Sequence, residues 1–191
     1  MKRNKILIIT IILLIFTSIY SFIRFKDNEN DVVHKIIDAK TKSYSNLKEL
    51  ENDSTLIVRG VKTLEEEPTI LVDEHGGILA EYTLSKFKII SLEKDETNND
   101  LFLGEEIIVL ENEVYNKYEN EVHHIAGYTK MISQKEYILF LYYAEENGWY
   151  VPCGVTFGKV PIDRNEKLTL SNNTMLESIS TDAYKKYIDK Q

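Results

Sequence analysis

Two adjacent histidines, His123 and His124, are the residues of this sequence best suited to metal or acid–base chemistry. Zinc is bound by imidazole nitrogens and carboxylate oxygens, and two ligands of a site usually lie close in sequence. Neighbouring residues of a strand point to opposite faces, so the two imidazoles cannot easily hold one ion together. Glu121 lies two positions from His123 and shares its face. We expect ordinary packing or solvent-facing histidines, with a metal site of Glu121 and His123 or His124 as the alternative, and with His34 or His75 as more distant partners.

Signatures of catalysis are missing from the sequence. Neither GxSxG nor HExxH occurs, and Gly154 and Gly158 are too widely spaced for a phosphate loop. Cys153 is the single cysteine, so an intramolecular disulfide and a cysteine-rich zinc site are both excluded. It lies in the strand-like string "YVPCGV", and a free cysteine most often behaves as a small buried apolar residue. The sequence therefore favours a binding or interaction module over an enzyme, and no cofactor is predicted. The alternative is a metal-dependent hydrolase or metal-responsive envelope protein that uses His123 or His124.

Four aromatic residues flank the turn string "AEENG", where they belong to the two strands of one predicted hairpin: Tyr142, Tyr143, Trp149 and Tyr150. Aromatic side chains concentrated on a barrel surface often mark the recognition of a peptide or a sugar. Alternatively, one face of this hairpin belongs to the core and the other covers the mouth of a barrel. Both interpretations stay open, and these four residues are the candidate binding residues.

The N-terminal string "MKRNKILIITIILLIFTSIYSFIRFK" differs in composition from the rest of the chain. Residues 6–23 carry no charge, and at 1.5 Å per residue a helix of this length nearly matches a hydrocarbon core of roughly 30 Å. Both flanks are basic, and the amino terminus favours a cytoplasmic N-terminal side. We expect residues 1–26 to be a signal-anchor with a transmembrane helix, giving a single-pass cell-membrane protein with an extracytoplasmic C-terminal domain. If the segment is cleaved, the protein is secreted.

The charge of the chain is distributed unevenly. Five of the 23 basic side chains lie in residues 1–26, whereas all 31 acidic side chains lie beyond them. The negative field of the exported part repels phosphate backbones, which argues against a nucleic-acid partner. No polybasic patch is present to hold an anionic bilayer, so membrane contact depends on the N-terminal helix. The expected partner is a cell-envelope protein or peptide.

The remaining sequence predicts a linker, one domain and a tail. Residues 27–44 are assigned to the linker, 45–170 to a β-barrel domain, and 171–191 to a C-terminal tail with a short helix. Ser45 is the expected N-cap of a short first helix, and the terminal helix is expected after Ser180. Several short strands follow, among them "STLIVRGVKTL", "EEIIVLE" and "EYILFLYYA". The long string "YTLSKFKIISLEK" loses its alternation near Ile89 and Ile90, which predicts a β-bulge there.

The pattern of strands predicts a mainly β protein with short flanking helices, either a small antiparallel barrel or a sandwich. The strings "STLIVRGVKTL", "YTLSKFKIISLEK", "LGEEIIVLE", "GYTKMISQKEYILFLYY" and "YVPCGVTFGKVPID" occur in this order. Over residues 45–165 they resemble an uncharacterised family of exported or membrane-anchored Gram-positive bacterial proteins. More distantly, the strand order resembles the netrin-like module, an OB-type barrel, although the disulfides that usually mark that module are missing here. The resemblance implies a fold and a location, and it carries no catalytic residues.

Overall fold

The computed structural model describes residues 32–170 and 172–189. The protein is mainly β, with 45% strand and 13% helix, which confirms the predicted class. The helices are α1 (Leu47–Asp53) and α2 (Thr174–Tyr187). The strands in the described ranges are β1 (Val33–Ile37), β2 (Leu56–Glu65), β3 (Thr69–Val72), β4 (Ile78–Asp95), β5 (Glu106–Glu111), β6 (Glu113–Asn116), β7 (Glu121–Ile125), β8 (Glu136–Ala144), β9 (Trp149–Pro152) and β10 (Lys159–Pro161).

The pairings of five strands form a closed ring. β2 pairs with β4, β4 with β5, β5 with β9, β9 with β8, and β8 with β2. The β5–β9 pairing is parallel, with Val109 opposite Tyr150, and the other four pairings are antiparallel. β10 extends the sheet by pairing with the first half of β8, and β3 pairs with the first part of β4. The ring encloses the inner core.

Strand β8 separates two cores because its side chains alternate between its faces. Tyr137, Leu139 and Leu141 point to the inner core, where they contact residues of β4 and β5. Ile138 and Phe140 point outward to a second core, which the two helices cover. Both faces of β8 are buried, so the strand is an almost unbroken apolar run. The helices contribute to the outer core Leu47, Leu50, Leu176, Ile179, Ala183 and Tyr184.

The long strand β4 bends at bulges. Arg59 of β2 lies opposite Ser91 and Gly60 lies opposite Ile89, so Ile90 is the extra residue between the two pairs. The predicted bulge near Ile89 and Ile90 is confirmed. An extra residue in one strand increases its local bend and twist. β4 is thereby able to pair with β2 and β3 on one side and with β5 on the other.

Both helices begin at a different residue from the one expected. The N-cap of α1 is Asn46 rather than Ser45: its side-chain oxygen accepts from the N–H of Glu49 at 3.0 Å. The Ser45 N–H instead donates to the carboxylate of Glu49 at 2.8 Å, which completes a capping arrangement. α2 begins at Thr174, after the N-cap Asn173, and not after Ser180. Asn173 is a favoured N-cap residue, and its side-chain oxygen accepts from the N–H groups of Met175 and Leu176 at 3.1 Å. The part of the helix before Ser180 is also held by burial of Leu176 and Ile179 in the outer core.

A smaller sheet, in the order β1-β7-β6, lies outside the ring. β7 is its central strand, and β1 occupies a stretch that the sequence assigned to the linker. The predicted transmembrane segment in residues 1–26 lies outside the described residues. Among the described residues, no helix has the length and apolarity needed to span a membrane.

Candidate functional site

Strand β7 places His123 and His124 on opposite faces, as expected for adjacent strand residues. Both are buried, with 3% and 2% of their surface exposed, so they are packing rather than solvent-facing histidines. The two rings contact different groups and do not converge on one point. The set Glu121, His123 and His124 is therefore split by the structure: Glu121 and His123 come together, and His124 lies apart.

His124, on the central strand of the small sheet, contacts both β1 and the turn that follows β7. Its Nδ1 lies 2.9 Å from the carbonyl oxygen of Tyr128, which can only accept, so this nitrogen carries the proton. Its Nε2 lies 2.8 Å from Nδ1 of His34, and the two rings are stacked with centroids 5.1 Å apart. Glu113 lies 3.2 Å from Nδ1 of His124. The ring is thus used to hold β1 and the turn after β7 in place.

His123 lies among three carboxylates. Its Nδ1 is 2.8 Å from Oε2 of Glu81, which comes from β4. Its Nε2 is 3.1 Å from Oε2 of Glu121 on β7 and 3.6 Å from Oε2 of Glu119 in the turn before β7. Among the described residues, Glu119, Glu121 and His123 are the one group of His, Cys, Asp or Glu whose donor atoms all lie within 4.8 Å of one another.

The electrostatics of this cluster favour positive charge on the ring. Burial alone lowers the pKa of His123, but hydrogen bonds to Glu81 and Glu121 and their charges outweigh it, so the pKa is raised. The hydrogen bond from His123 and the ion pair with Lys35 lower the pKa of Glu121. The ammonium of Lys35, on β1, is 3.3 Å from Oε2 of Glu121. The cluster can hold a cation at Nε2.

Two of the cluster's carboxylates were missed in the sequence. Glu119 lies four positions before His123, which is strand-like spacing to the same face, but the intervening turn hides this relation. Glu81 is 42 residues away, so no local pattern relates it to His123. His34 was named only as a distant partner, and it meets His124 because β1 pairs with β7. His75, the other distant candidate, pairs with Glu74 on an exposed turn.

The four aromatic candidates are also divided between two faces. Tyr143 and Tyr150 are cross-strand partners whose ring centroids lie 4.9 Å apart, and both contact the inner core. Tyr142 and Trp149 point outward, with Tyr142 44% exposed. The ring of Trp149 contacts that of Tyr82 at 5.3 Å between centroids. Only Tyr142 and Trp149 are therefore placed to contact a ligand.

Tyr142 and Trp149 line a surface groove of about 520 Å³, which we name the aromatic groove. Lys40 and Lys42 lie along one side, and Leu110 and Asn112, at the end of β5, lie on another. The amide nitrogen of Asn112 is one of two buried side-chain polar atoms without a hydrogen-bond partner in the described residues, the other being Oγ1 of Thr55. Sequence reasoning missed Asn112 because nothing local distinguishes it from a turn residue.

The base of the aromatic groove is held by an ion pair and a buried thiol. Asp53 accepts from Lys42 Nζ at 2.6 Å and from the hydroxyl of Tyr44. Cys153 is 1% exposed, and the hydroxyl of Ser54 donates to its sulfur at 3.5 Å. Burial raises the pKa of the Cys153 thiol, which keeps it protonated and weakly nucleophilic.

No family model matches the chain, and no curated protein is significantly similar to it. The resemblance to exported Gram-positive proteins and to the netrin-like module stays a prediction.

Proposed function

We propose that this protein is a membrane-anchored extracytoplasmic binding module without catalytic activity, and that its partner binds in the aromatic groove. One observation carries the proposal: the groove combines the outward aromatics Tyr142 and Trp149 with the unpartnered amide of Asn112. That nitrogen is shielded from solvent, and a buried N–H without an acceptor costs free energy. A ligand carbonyl in the groove would recover this cost once a rotation of the Asn112 side chain turns the amide toward it. An extended peptide supplies both carbonyls and side chains for aromatic contact.

We infer that the five-stranded ring is a small barrel of the OB type, the fold that the netrin-like resemblance implies. Counted in chain order, the strands of the ring are β2, β4, β5, β8 and β9. Two features support this inference: the closed pairing order β2-β4-β5-β9-β8, and the parallel pairing of the third strand, β5, with the fifth, β9. OB barrels bind ligands over the second and third strands and beside the loop that joins the fourth and fifth. The aromatic groove includes Leu110 and Asn112 at the end of the third strand and Asn147 in that loop.

The location is proposed from the sequence. The uncharged stretch 6–23 with basic flanks supports a single membrane anchor, and the three basic residues before it support a cytoplasmic N-terminal side and an extracytoplasmic domain. The acidity of the rest of the chain disfavours nucleic acid. A cell-envelope protein that offers an extended segment is the proposed partner. Lys42 is paired with Asp53, so Lys40 beside the groove is the lysine that favours a segment with an acidic side chain.

The absence of catalysis is supported by the state of the candidate nucleophile and bases. The thiol of Cys153 is buried with a raised pKa. His123 is 3% exposed, so a substrate has little access to its ring. The alternative of a metal-responsive protein is favoured by one observation, the 3.1 Å contact between His123 and Glu121. A hydrolase would in addition need substrate access.

Photo-crosslinking in living cells tests the binding proposal. The full chain, expressed in the organism that encodes it, carries p-benzoylphenylalanine in place of Tyr142. The matched control carries it in place of Tyr118, which is 84% exposed in the turn after β6 and outside the aromatic groove. We expect one discrete protein adduct from position 142 and none of that mass from position 118. Equal patterns from the two positions, or no adduct at 142, would contradict the proposal.

A second variant separates recognition from folding. Asn112→Leu removes the unpartnered amide, so the free energy of unfolding should stay the same or rise, since no hydrogen bond of that nitrogen is lost. The adduct at position 142 should nevertheless fall at least fivefold, because the partner loses a donor. An unchanged adduct would exclude Asn112 from recognition and would contradict the proposal that the partner binds at its amide.

A further inference from the structure

Both ring nitrogens of His123 face carboxylate oxygens. Glu81 lies 2.8 Å from Nδ1, and Glu121 lies 3.1 Å from Nε2. Ionised carboxylates are acceptors only, and a neutral imidazole carries a single N–H. If Nδ1–H donates to Glu81, the lone pair of Nε2 points at an oxygen lone pair of Glu121. The arrangement is favourable only with a positive charge at Nε2, and that charge is either a second proton or a bound cation.

The distances around Nε2 suit a metal ion. Oε2 of Glu121 and Oε2 of Glu119 lie 3.1 Å and 3.6 Å from it. Two ligands of a tetrahedral zinc ion, each at 2.0–2.1 Å from the metal, lie about 3.3 Å apart. A single ion placed between the three donors would therefore meet ordinary bond lengths after small side-chain movements. The 54% exposure of the Glu119 side chain gives the ion a path from solvent.

The surroundings also match those of a metal site. The side chain of Glu81 is 8% exposed, and its carboxylate contacts Nδ1 of His123. A carboxylate on the far nitrogen is the usual support of a metal-binding histidine, because it fixes the tautomer and raises the basicity of the ligand. The amide of Asn116 donates to Oε2 of Glu119 at 3.1 Å. The ammonium of Lys35 lies near the donors and offsets part of their negative charge.

We infer that Glu119, Glu121 and His123 form a binding site for one divalent transition-metal ion of the zinc class, with Glu81 as the positioning residue. One imidazole nitrogen with two carboxylates suits such an ion, whereas calcium takes six to eight oxygen ligands. The site lies on a different set of strands from the aromatic groove. The metal site therefore does not depend on the proposed binding function of the groove.

Isothermal titration of the full chain in mild detergent, freed of metal with EDTA and then dialysed, tests the site with Zn²⁺ as the probe. We expect one ion per chain. Glu119→Gln and Glu121→Gln should each weaken binding at least tenfold, and both preserve side-chain size, so folding should be kept. The matched control is His75→Gln, which removes an exposed histidine that pairs with Glu74 alone, and it should leave the affinity unchanged.

Two further variants change the Zn²⁺ affinity in directions that are not expected if Lys35 and Glu81 only stabilise the fold. Lys35→Gln removes the cation that competes for Glu121, so Zn²⁺ should bind several-fold more tightly. Glu81→Gln should weaken binding about tenfold or more without a change in stoichiometry.

Three outcomes would overturn the inference. The first is no binding to the unmodified chain at millimolar Zn²⁺, in which case a proton alone fills the position at Nε2. The second is binding that survives Glu119→Gln. The third is loss of binding in His34→Gln but not in Glu119→Gln or Glu121→Gln, which would place the ion at His124 instead.

Discussion

The ammonium of Lys62 lies 2.8 Å from Oε1 of Glu111, and the two side chains are 1% and 0% exposed. The same carboxylate accepts from the hydroxyls of Ser85 and Tyr128 and from the N–H of Met131. The pair lies at one end of the inner core, where β2 and β5 leave the apolar layer of the ring. Burial of two charges is tolerable here because nearly every donor and acceptor has a partner.

Breaking this pair should be costly. Lys62→Met leaves the Glu111 carboxylate buried without its cation, and we expect a loss of about 3–5 kcal/mol in the free energy of unfolding. Urea unfolding followed by the fluorescence of Trp149, the single tryptophan, measures it. Lys130→Met is the matched control, because Lys130 pairs with Glu65 as Lys62 does, but at the surface. The control should lose less than about 1 kcal/mol. Equal losses would show that Lys62 is not a buried partner.

Lys159 should contribute more to stability as the pH rises from 8 to 9.5. It is fully buried, donates to Thr129 and lies 4.7 Å from the ring centroid of Tyr128. Burial, opposed in part by the charge of Glu111, lowers its pKa to about 8. An unfolded lysine titrates near pH 10.4. Between these values the unfolded lysine binds more protons than the folded one, so its contribution to the free energy of unfolding increases by about 2 kcal/mol from pH 7 to 9.5.

Lys159→Met isolates this effect. It should make the change in unfolding free energy from pH 7 to 9.5 about 2 kcal/mol less positive, whereas Lys135→Met, a change at an exposed lysine that pairs with Asp163, should leave that change as it is in the unmodified chain. Burial raises the pKa of Tyr128 and of the Cys153 thiol, so these groups lose protons first in the unfolded state and oppose the effect of Lys159. Their contribution is common to all three proteins and cancels in the comparison, which is made by urea unfolding at pH 7, 8, 9 and 9.5. An identical pH dependence in Lys159→Met and in the unmodified chain would assign it to other groups.

Local patterns predicted the strands well and the charged contacts poorly. The string "EYILFLYYA" gave the bounds of β8, because a run of apolar residues buried on both faces has few other interpretations. The string "STLIVRGVKTL" alternates likewise, and Leu56 and Val58 lie in one core whereas Ile57 lies in the other. Lys62, by contrast, resembles an exposed strand lysine. Its partner Glu111 is 49 residues away, and only the closure of the ring brings them together.

The candidate site shows the same limit. Glu121 and His123 were paired by their spacing of two, which is a local property of a strand. Glu81 and His34 reach the histidines through pairing between strands that are far apart in sequence. For the aromatics, alternation predicts that Tyr142 and Tyr143 face opposite ways. Which of the two faces the core depends on the register of β8 against β2, and the sequence does not contain that register in local form.

Gly60 should be nearly irreplaceable. A Cβ there would lie 2.1 Å from the carbonyl oxygen of Lys88 and 2.6 Å from the ring of Phe87. Both groups belong to β4, which is paired with β2 at this point, and they cannot easily move aside. Gly60→Ala should therefore lower the free energy of unfolding by about 3 kcal/mol or more. Gly76→Ala is the control: its φ is +82°, but nothing lies within 4 Å of the added methyl group. Only the cost of a left-handed conformation, roughly 1–2 kcal/mol, then applies. The prediction fails if the two variants unfold at the same urea concentration.

Truncation of Tyr150 should destabilise the protein far more than truncation of Tyr142. Tyr150 is 4% exposed in the inner core, and its hydroxyl accepts from the amide of Asn99 at 2.8 Å. Tyr150→Ala creates a cavity in the inner core, so we expect a loss of about 3–5 kcal/mol. Tyr142 is 44% exposed, and Tyr142→Ala should cost less than about 1 kcal/mol. Urea unfolding with Trp149 fluorescence compares them. Co-purification of the partner recovered by crosslinking should be lost in Tyr142→Ala although that variant stays folded. A large loss of stability in Tyr142→Ala would instead make this residue part of the core and remove it from the aromatic groove's recognition surface.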